Sequence, residues 1–154
     1  MIKLKNLVIS LIISVGIGML SGFLTKGSSK AFSENFNQSV LTPPDWVFPV
    51  VWIILFTLMG FSAVLIYQSD CKVKPYALIV YGVQLVVNFF WSIFFFIGNE
   101  FEISFGWITI LILLVMAMII LFYNCKPFAA YLQIPYLIWI LFASYLNYII
   151  CILN

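Results

Sequence analysis

Five long apolar stretches almost free of charge, over residues 7–24, 46–67, 76–97, 103–123 and 128–153, constrain this chain more than any other feature. A helix needs roughly 20 predominantly apolar residues to cross about 30 Å of hydrocarbon, and each stretch is close to that length. Barrel strands alternate apolar and polar residues and are about half as long, so continuous runs specify helices. The predicted fold class is an all-α membrane protein, a single five-transmembrane-helix bundle over residues 1–154. The composition agrees: 65% of residues are hydrophobic and 8% charged. About a quarter of a soluble domain is charged, so this chain cannot cover itself with a solvated surface. Lys3 and Lys5 ahead of the first run resemble a signal-peptide start. However, "MLSGFLTKG" offers no small-residue cleavage site and the run is long enough to span, so the first helix is expected to be retained.

The connectors "QSDCKVK", "GNEFE" and "NCK" are short, which makes consecutive helices antiparallel neighbours. The first connector, residues 25–45, is long and is expected to be a loop, because Asn37, Pro43 and Pro44 oppose one continuous helix through it. Lys3, Lys5, Lys72, Lys74 and Lys126 fall at one end of the bundle, and only Lys26 and Lys30 at the other. The positive-inside rule then places the N-terminus in the cytoplasm and the long loop and C-terminus outside, with the cell membrane as the expected location. Within "LTPPDWVFPVVW", Pro43-Pro44 stiffens the loop end, Asp45 is the expected N-cap of the second helix, and Trp46 is an interfacial anchor, as is Trp107. Trp52 lies deeper.

Several function classes drop out. A net charge of +2 with lysines scattered singly gives no basis for a nucleic-acid partner. The chain has no histidine, which removes the commonest metal ligand and general base, so neither a metal site nor a bound cofactor is expected. Cys71, Cys125 and Cys151 form no C-x-x-C pair and read as unpaired thiols at helix ends rather than a disulfide framework. No charged residue sits in the middle of a span, which argues against proton relays and ion-coupled pumps but leaves passive pathways open.

Neutral polar residues occupy the spans instead. On the third, Tyr81, Gln84, Asn88, Trp91 and Ser92 follow i, i+3, i+7, i+10, i+11, which is one helical face. The fifth carries Gln133, Tyr136, Trp139, Ala143 and Asn147, with Pro135 expected to kink it. Trp52, Phe56, Met59 and Gly60 form a comparable stripe on the second. Two readings stand side by side. The amides bond helix to helix, or they line a cavity in which tryptophans receive a flat apolar ligand with a few polar groups.

Three segments in order, "LTPPDWVFPVVWIILFTLMG", "VQLVVNFFWSIFFF" and "IPYLIWILFASYLNYIICILN", resemble the TspO/MBR family of tryptophan-rich sensory proteins and translocator proteins. The resemblance implies a five-helix bundle, commonly a homodimer, with a cavity beneath the first loop that takes porphyrins, other flat hydrophobic molecules and cholesterol-like lipids. By matching position it puts Pro43, Pro44, Trp52, Asn88, Trp91, Trp139 and Ala143 in the pocket lining. The expected function is a membrane receptor or carrier for porphyrin or another planar apolar molecule. Its contacts are those residues together with Phe56, Gln84 and Asn147, and its surroundings are membrane lipid. Light-dependent porphyrin degradation, with Trp52 and Trp139 as the catalytic pair, and passive transport of tetrapyrroles or lipids are the alternatives the resemblance carries. With no histidine to ligate haem iron, porphyrin enters as a metal-free ligand. Two positions depart from the family pattern. Leu41 stands where a tryptophan usually precedes "TPP", and "LNYIICILN" lacks the basic residue of the usual sterol segment.

Overall fold

The computed structural model describes residues 3–154, and every described element is helical. Six α-helices follow in order: α1 Leu4–Asn35, α2 Val47–Tyr67, α3 Lys74–Ser92, α4 Phe101–Cys125, α5 Pro127–Tyr131 and α6 Ile134–Leu153. A π-helical turn, Ile93–Ile97, prolongs α3. With α3 joined to that turn and α5 to α6, five units are long and apolar enough to cross a membrane.

Proline sets several boundaries. Pro75 and Pro127 each fall at the start of a helix, where a missing N–H costs nothing. Pro135 cannot donate into the preceding turn. The last span therefore breaks at Leu132–Gln133, with Gln133 N–H donating to Ala130 C=O at 2.9 Å, and α6 restarts beyond it. At the α3–α4 turn, Gly98 N–H reaches back to Ile93 C=O at 3.0 Å, and Asn99 takes a φ of 52°, a conformation asparagine tolerates better than most residues.

Helix α1 docks through small residues. Its buried face is Ser14, Ser21, Thr25 and Phe32. Ser10 Oγ donates to Gly60 C=O at 2.7 Å, and a Cβ on Gly60 would lie 2.5 Å from Ser14 Oγ. A Cβ on Gly18 would run into the ring of Phe56. Lipid tails are as apolar as leucine, so helices associate here by close backbone approach and hydrogen bonds.

Three expectations need correction. The long loop is shorter than residues 25–45, because α1 continues to Asn35 and leaves only residues 36–46 outside helix. Two features hold the polar extension helical. Phe32, 7% exposed, packs on Phe36, Phe95, Phe96 and Phe101. Thr25, Ser29, Ser33 and Asn35 return their side-chain donors to carbonyls three or four residues back. Asp45 does not cap α2: Trp46 takes the N-cap position with no side-chain bond, and Val47 N–H donates to Pro44 C=O at 2.9 Å. Third, Cys71 and Cys125 are not unpaired. They form a disulfide, Cα–Cα 5.3 Å, because the α2–α3 connector and the end of α4 meet at the lysine-rich end of the bundle. Cys151 is a free thiol, as expected.

Candidate ligand-binding site

The polar face of α3 meets α6, and most of its donors are used, with Tyr81 Oη the exception. Tyr136 Oη donates to Gln84 Oε1 at 2.8 Å and accepts from Asn88 Nδ2 at 2.9 Å. Higher up, Trp91 Nε1 donates to Asn147 Oδ1 at 3.3 Å, while Asn147 Nδ2 donates to Phe101 C=O at 2.9 Å. Gln84, Asn88, Tyr136 and Asn147 are all buried to within 2% exposure. Of the two readings open in the sequence, these contacts are those of helix-to-helix bonding. The amides hold α3, α4 and α6 in register. Trp107 belongs to the same system: half-buried, its Nε1 donates to Val87 C=O at 2.8 Å, so it links α4 to α3. Trp46 is 68% exposed.

Beside this polar layer lies an aromatic one. Trp52 is half-buried and faces Phe56, Tyr136 and Trp91, with ring centroids at 5.5, 6.3 and 6.4 Å. Trp91 stacks on Phe95 at 5.4 Å. Trp139, also half-buried, packs edge-on against Phe48 at 5.8 Å and lies equally close to Phe142. Ala143, one turn beyond Trp139 on α6, is buried and adds little bulk. The structure thus brings Trp52, Phe56 and Trp91 together in one group and sets Trp139 in another with Phe48.

Unpaired polar atoms distinguish the second group. Trp139 Nε1 is buried without a hydrogen-bond partner, and so is Thr42 Oγ1 in the connector. Both flank the start of α2: Thr42 precedes it, and Trp139 packs on Phe48 in its first turn. Pro43 is half-buried beside Thr42, whereas Pro44 and Leu41 are exposed. Buried polar atoms in native proteins are almost always paired, so an orphaned indole N–H beside an aromatic cluster marks a position that a bound molecule or water can complete. The sequence reading missed Phe48 and Thr42. Phe48 lies four residues before Trp52, on the stripe already identified, so its face was readable; Thr42 carries no such signal.

A sequence profile of the TspO/MBR family matches residues 8–153. The tryptophan-rich protein TspO of Archaeoglobus fulgidus is 31% identical over 99% of each chain, and that of Chlorobaculum tepidum 31% identical over 96% of this chain and 97% of its own. The human translocator protein is 34% identical over 69% of this chain and 64% of its own length. With a profile match over nearly the whole length and five apolar helices able to span a bilayer, the chain is an integral membrane protein that belongs to the TspO/MBR family.

Proposed function

We propose that the chain is a membrane receptor or carrier for porphyrins and related flat hydrophobic molecules, held beneath the α1–α2 connector between Trp52 and Trp139. The observation that carries this reading is the orphaned indole donor Trp139 Nε1, set against Phe48 and Phe142, with Thr42 Oγ1 a second orphan in the connector. A planar macrocycle buries its faces against Trp52, Phe48 and Trp139, while its carboxylates accept hydrogen bonds from the two orphans. Burying a few hundred Å2 of apolar surface at about 25 cal/mol per Å2 yields several kcal/mol before ordering costs. Gln84, Asn88 and Asn147 serve the helix contacts rather than the contact surface: Asn88 Nδ2 and Asn147 Nδ2 donate to Tyr136 Oη and Phe101 C=O, and Gln84 accepts from Tyr136 Oη while its Nε2 reaches Met59 Sδ at 3.8 Å. Pro43 and Pro44 stiffen the connector through which the ligand passes. In this reading the lysine-rich end faces the cytoplasm and the connector faces outward across the cell membrane.

The test titrates detergent-purified protein with protoporphyrin while following tryptophan fluorescence. Saturable quenching is expected, with affinity lowered roughly tenfold, about 1.4 kcal/mol, by Trp139→Phe. Quenching that stays linear and ignores both Trp52→Phe and Trp139→Phe sinks the proposal. Illumination of the same sample separates the enzymatic alternative. Porphyrin loss faster than in detergent alone, and abolished by Trp52→Phe, makes the protein a degrading enzyme.

A further inference from the structure

We propose that Cys71 and Cys125 form a reversible thiol switch at the lysine-rich end of the bundle, opened by cytoplasmic dithiols and closed by hydroperoxides. The inference rests on the orientation given above, with that end in the cytoplasm. Three observations meet there. The two sulfurs are bonded across the α2–α3 connector and the end of α4, 54 residues apart in sequence. Five of the seven lysines, Lys3, Lys5, Lys72, Lys74 and Lys126, mark the same end, which is the side that the positive-inside rule keeps in a reducing compartment. Both cysteines are only half-buried, so a soluble reagent reaches them. A disulfide formed in the cytoplasm is a conditional bond, reduced and remade with the surrounding thiol pool, whereas permanent bridges belong to oxidising compartments.

The local chemistry favours opening. Cys71 precedes the N-terminus of α3, and its flanking cations are Lys72 and Lys74, opposed by the single carboxylate of Asp70. Cys125 is the last residue of α4, where the helix dipole disfavours a thiolate, and has Lys126 beside it. Cations and a helix N-terminus stabilise the thiolate at Cys71, which raises the oxidising power of the bond and makes Cys71 the better leaving group. Reduction therefore runs by attack of the dithiol's thiolate on Cys125 Sγ. The S–S bond breaks, Cys71 leaves as thiolate and takes a proton, and the dithiol's second sulfur displaces Cys125 and becomes a disulfide itself. In the reverse direction the Cys71 thiolate attacks a hydroperoxide, giving a sulfenic acid and releasing the alcohol or water. Cys125 then condenses with it and expels water.

The bond also has structural reach. It closes a covalent ring through α3 and α4, whose opposite ends are already joined by the short turn at Gly98–Glu100. Helix α3 carries Gln84, Asn88 and Trp91, so the oxidised protein holds one wall of the candidate site at both ends and the reduced protein at one.

The experiment counts maleimide adducts on the full-length protein after acid quenching of cells and denaturation. A bridged chain takes one adduct, at Cys151, and a reduced chain takes three. Growing cells are expected to show mainly three adducts, to shift to one within minutes of hydroperoxide treatment, and to return once the oxidant is removed. A one-adduct form that native dithiol treatment leaves unchanged overturns the switch, as does a three-adduct form that no oxidant converts. Cys71→Ser and Cys125→Ser must each give two adducts under both conditions; oxidant-dependent loss of adducts in either variant points to another pairing and overturns the assignment. A membrane-impermeant maleimide added to intact cells reports separately on orientation. If it labels Cys71 or Cys125 from outside, the orientation has failed, whatever the redox response.

Discussion

Replacing Tyr136 with phenylalanine removes one oxygen and keeps the ring that packs on Trp52. That oxygen donates to Gln84 Oε1 at 2.8 Å and accepts from Asn88 Nδ2 at 2.9 Å, inside a span where no water substitutes for it. Interhelical hydrogen bonds in membranes average about 0.6 kcal/mol and reach about 1.7, so losing both costs roughly 1–3 kcal/mol. Orphaning Gln84 and Asn88 pushes the value toward the upper end. The assay is reversible unfolding in mixed micelles, followed by helical circular dichroism. A double-mutant cycle with Gln84→Met apportions the effect and should return a coupling near 1 kcal/mol. Protoporphyrin affinity serves as the control, since a residue that only holds helices together leaves it within about twofold, under 0.5 kcal/mol. A stability change within about 0.5 kcal/mol, the range of substitutions that touch nothing, refutes the bonding role. So does a large loss of affinity at unchanged stability, which returns Gln84 and Asn88 to the ligand.

Other substitutions probe the remaining features. Both side-chain polar atoms of Gln133 are buried and unpaired, so Gln133→Met should be neutral or raise stability by about 1 kcal/mol in the same unfolding assay. A drop instead shows that its amide has a partner. Gly60→Ala brings a Cβ to 2.5 Å from Ser14 Oγ and should destabilise the α1–α2 contact by roughly 1–3 kcal/mol. Asn147→Leu severs the bonds to Trp91 and Phe101 and should cost about 1–3 kcal/mol, with Trp91 fluorescence shifted. Thr42→Val removes an orphaned oxygen, so it should leave stability within about 0.5 kcal/mol while weakening protoporphyrin binding severalfold.

How far the sequence could be read depended on whether a feature is local. The spans were legible because a continuous apolar run admits one solution in a bilayer. The extension of α1 through "TKGSSKAFSEN" was not. Its residues are polar and poor helix formers, and the helix survives because Phe32 finds Phe95, Phe96 and Phe101, which are remote in sequence. The disulfide was legible in part: counting spans puts Cys71 and Cys125 at one end, but their 5.3 Å approach depends on how α3 packs on α4. At the site, the shared face of Gln84 and Asn88 was visible from spacing, and the Tyr136 hydroxyl that binds them was not. Two helices must be in register before such a partner exists.

The way α1 is held sets which of its letters are free to change. At 32 residues it is roughly 48 Å long, yet only four of its side chains are buried. Between the small-residue contact at Ser10, Ser14 and Gly18 and the phenylalanine knot at Phe32, its surface is given to Met19, Leu20, Phe23 and Leu24 facing outward. Those outward positions accept any apolar residue that lipid accepts. A side chain added at position 18 or a polar residue at 32 loosens one of the five spanning helices. Substitution rates along this one helix should therefore alternate sharply, slow at a handful of small positions and fast at their neighbours, a rhythm set by contact rather than by hydrophobicity.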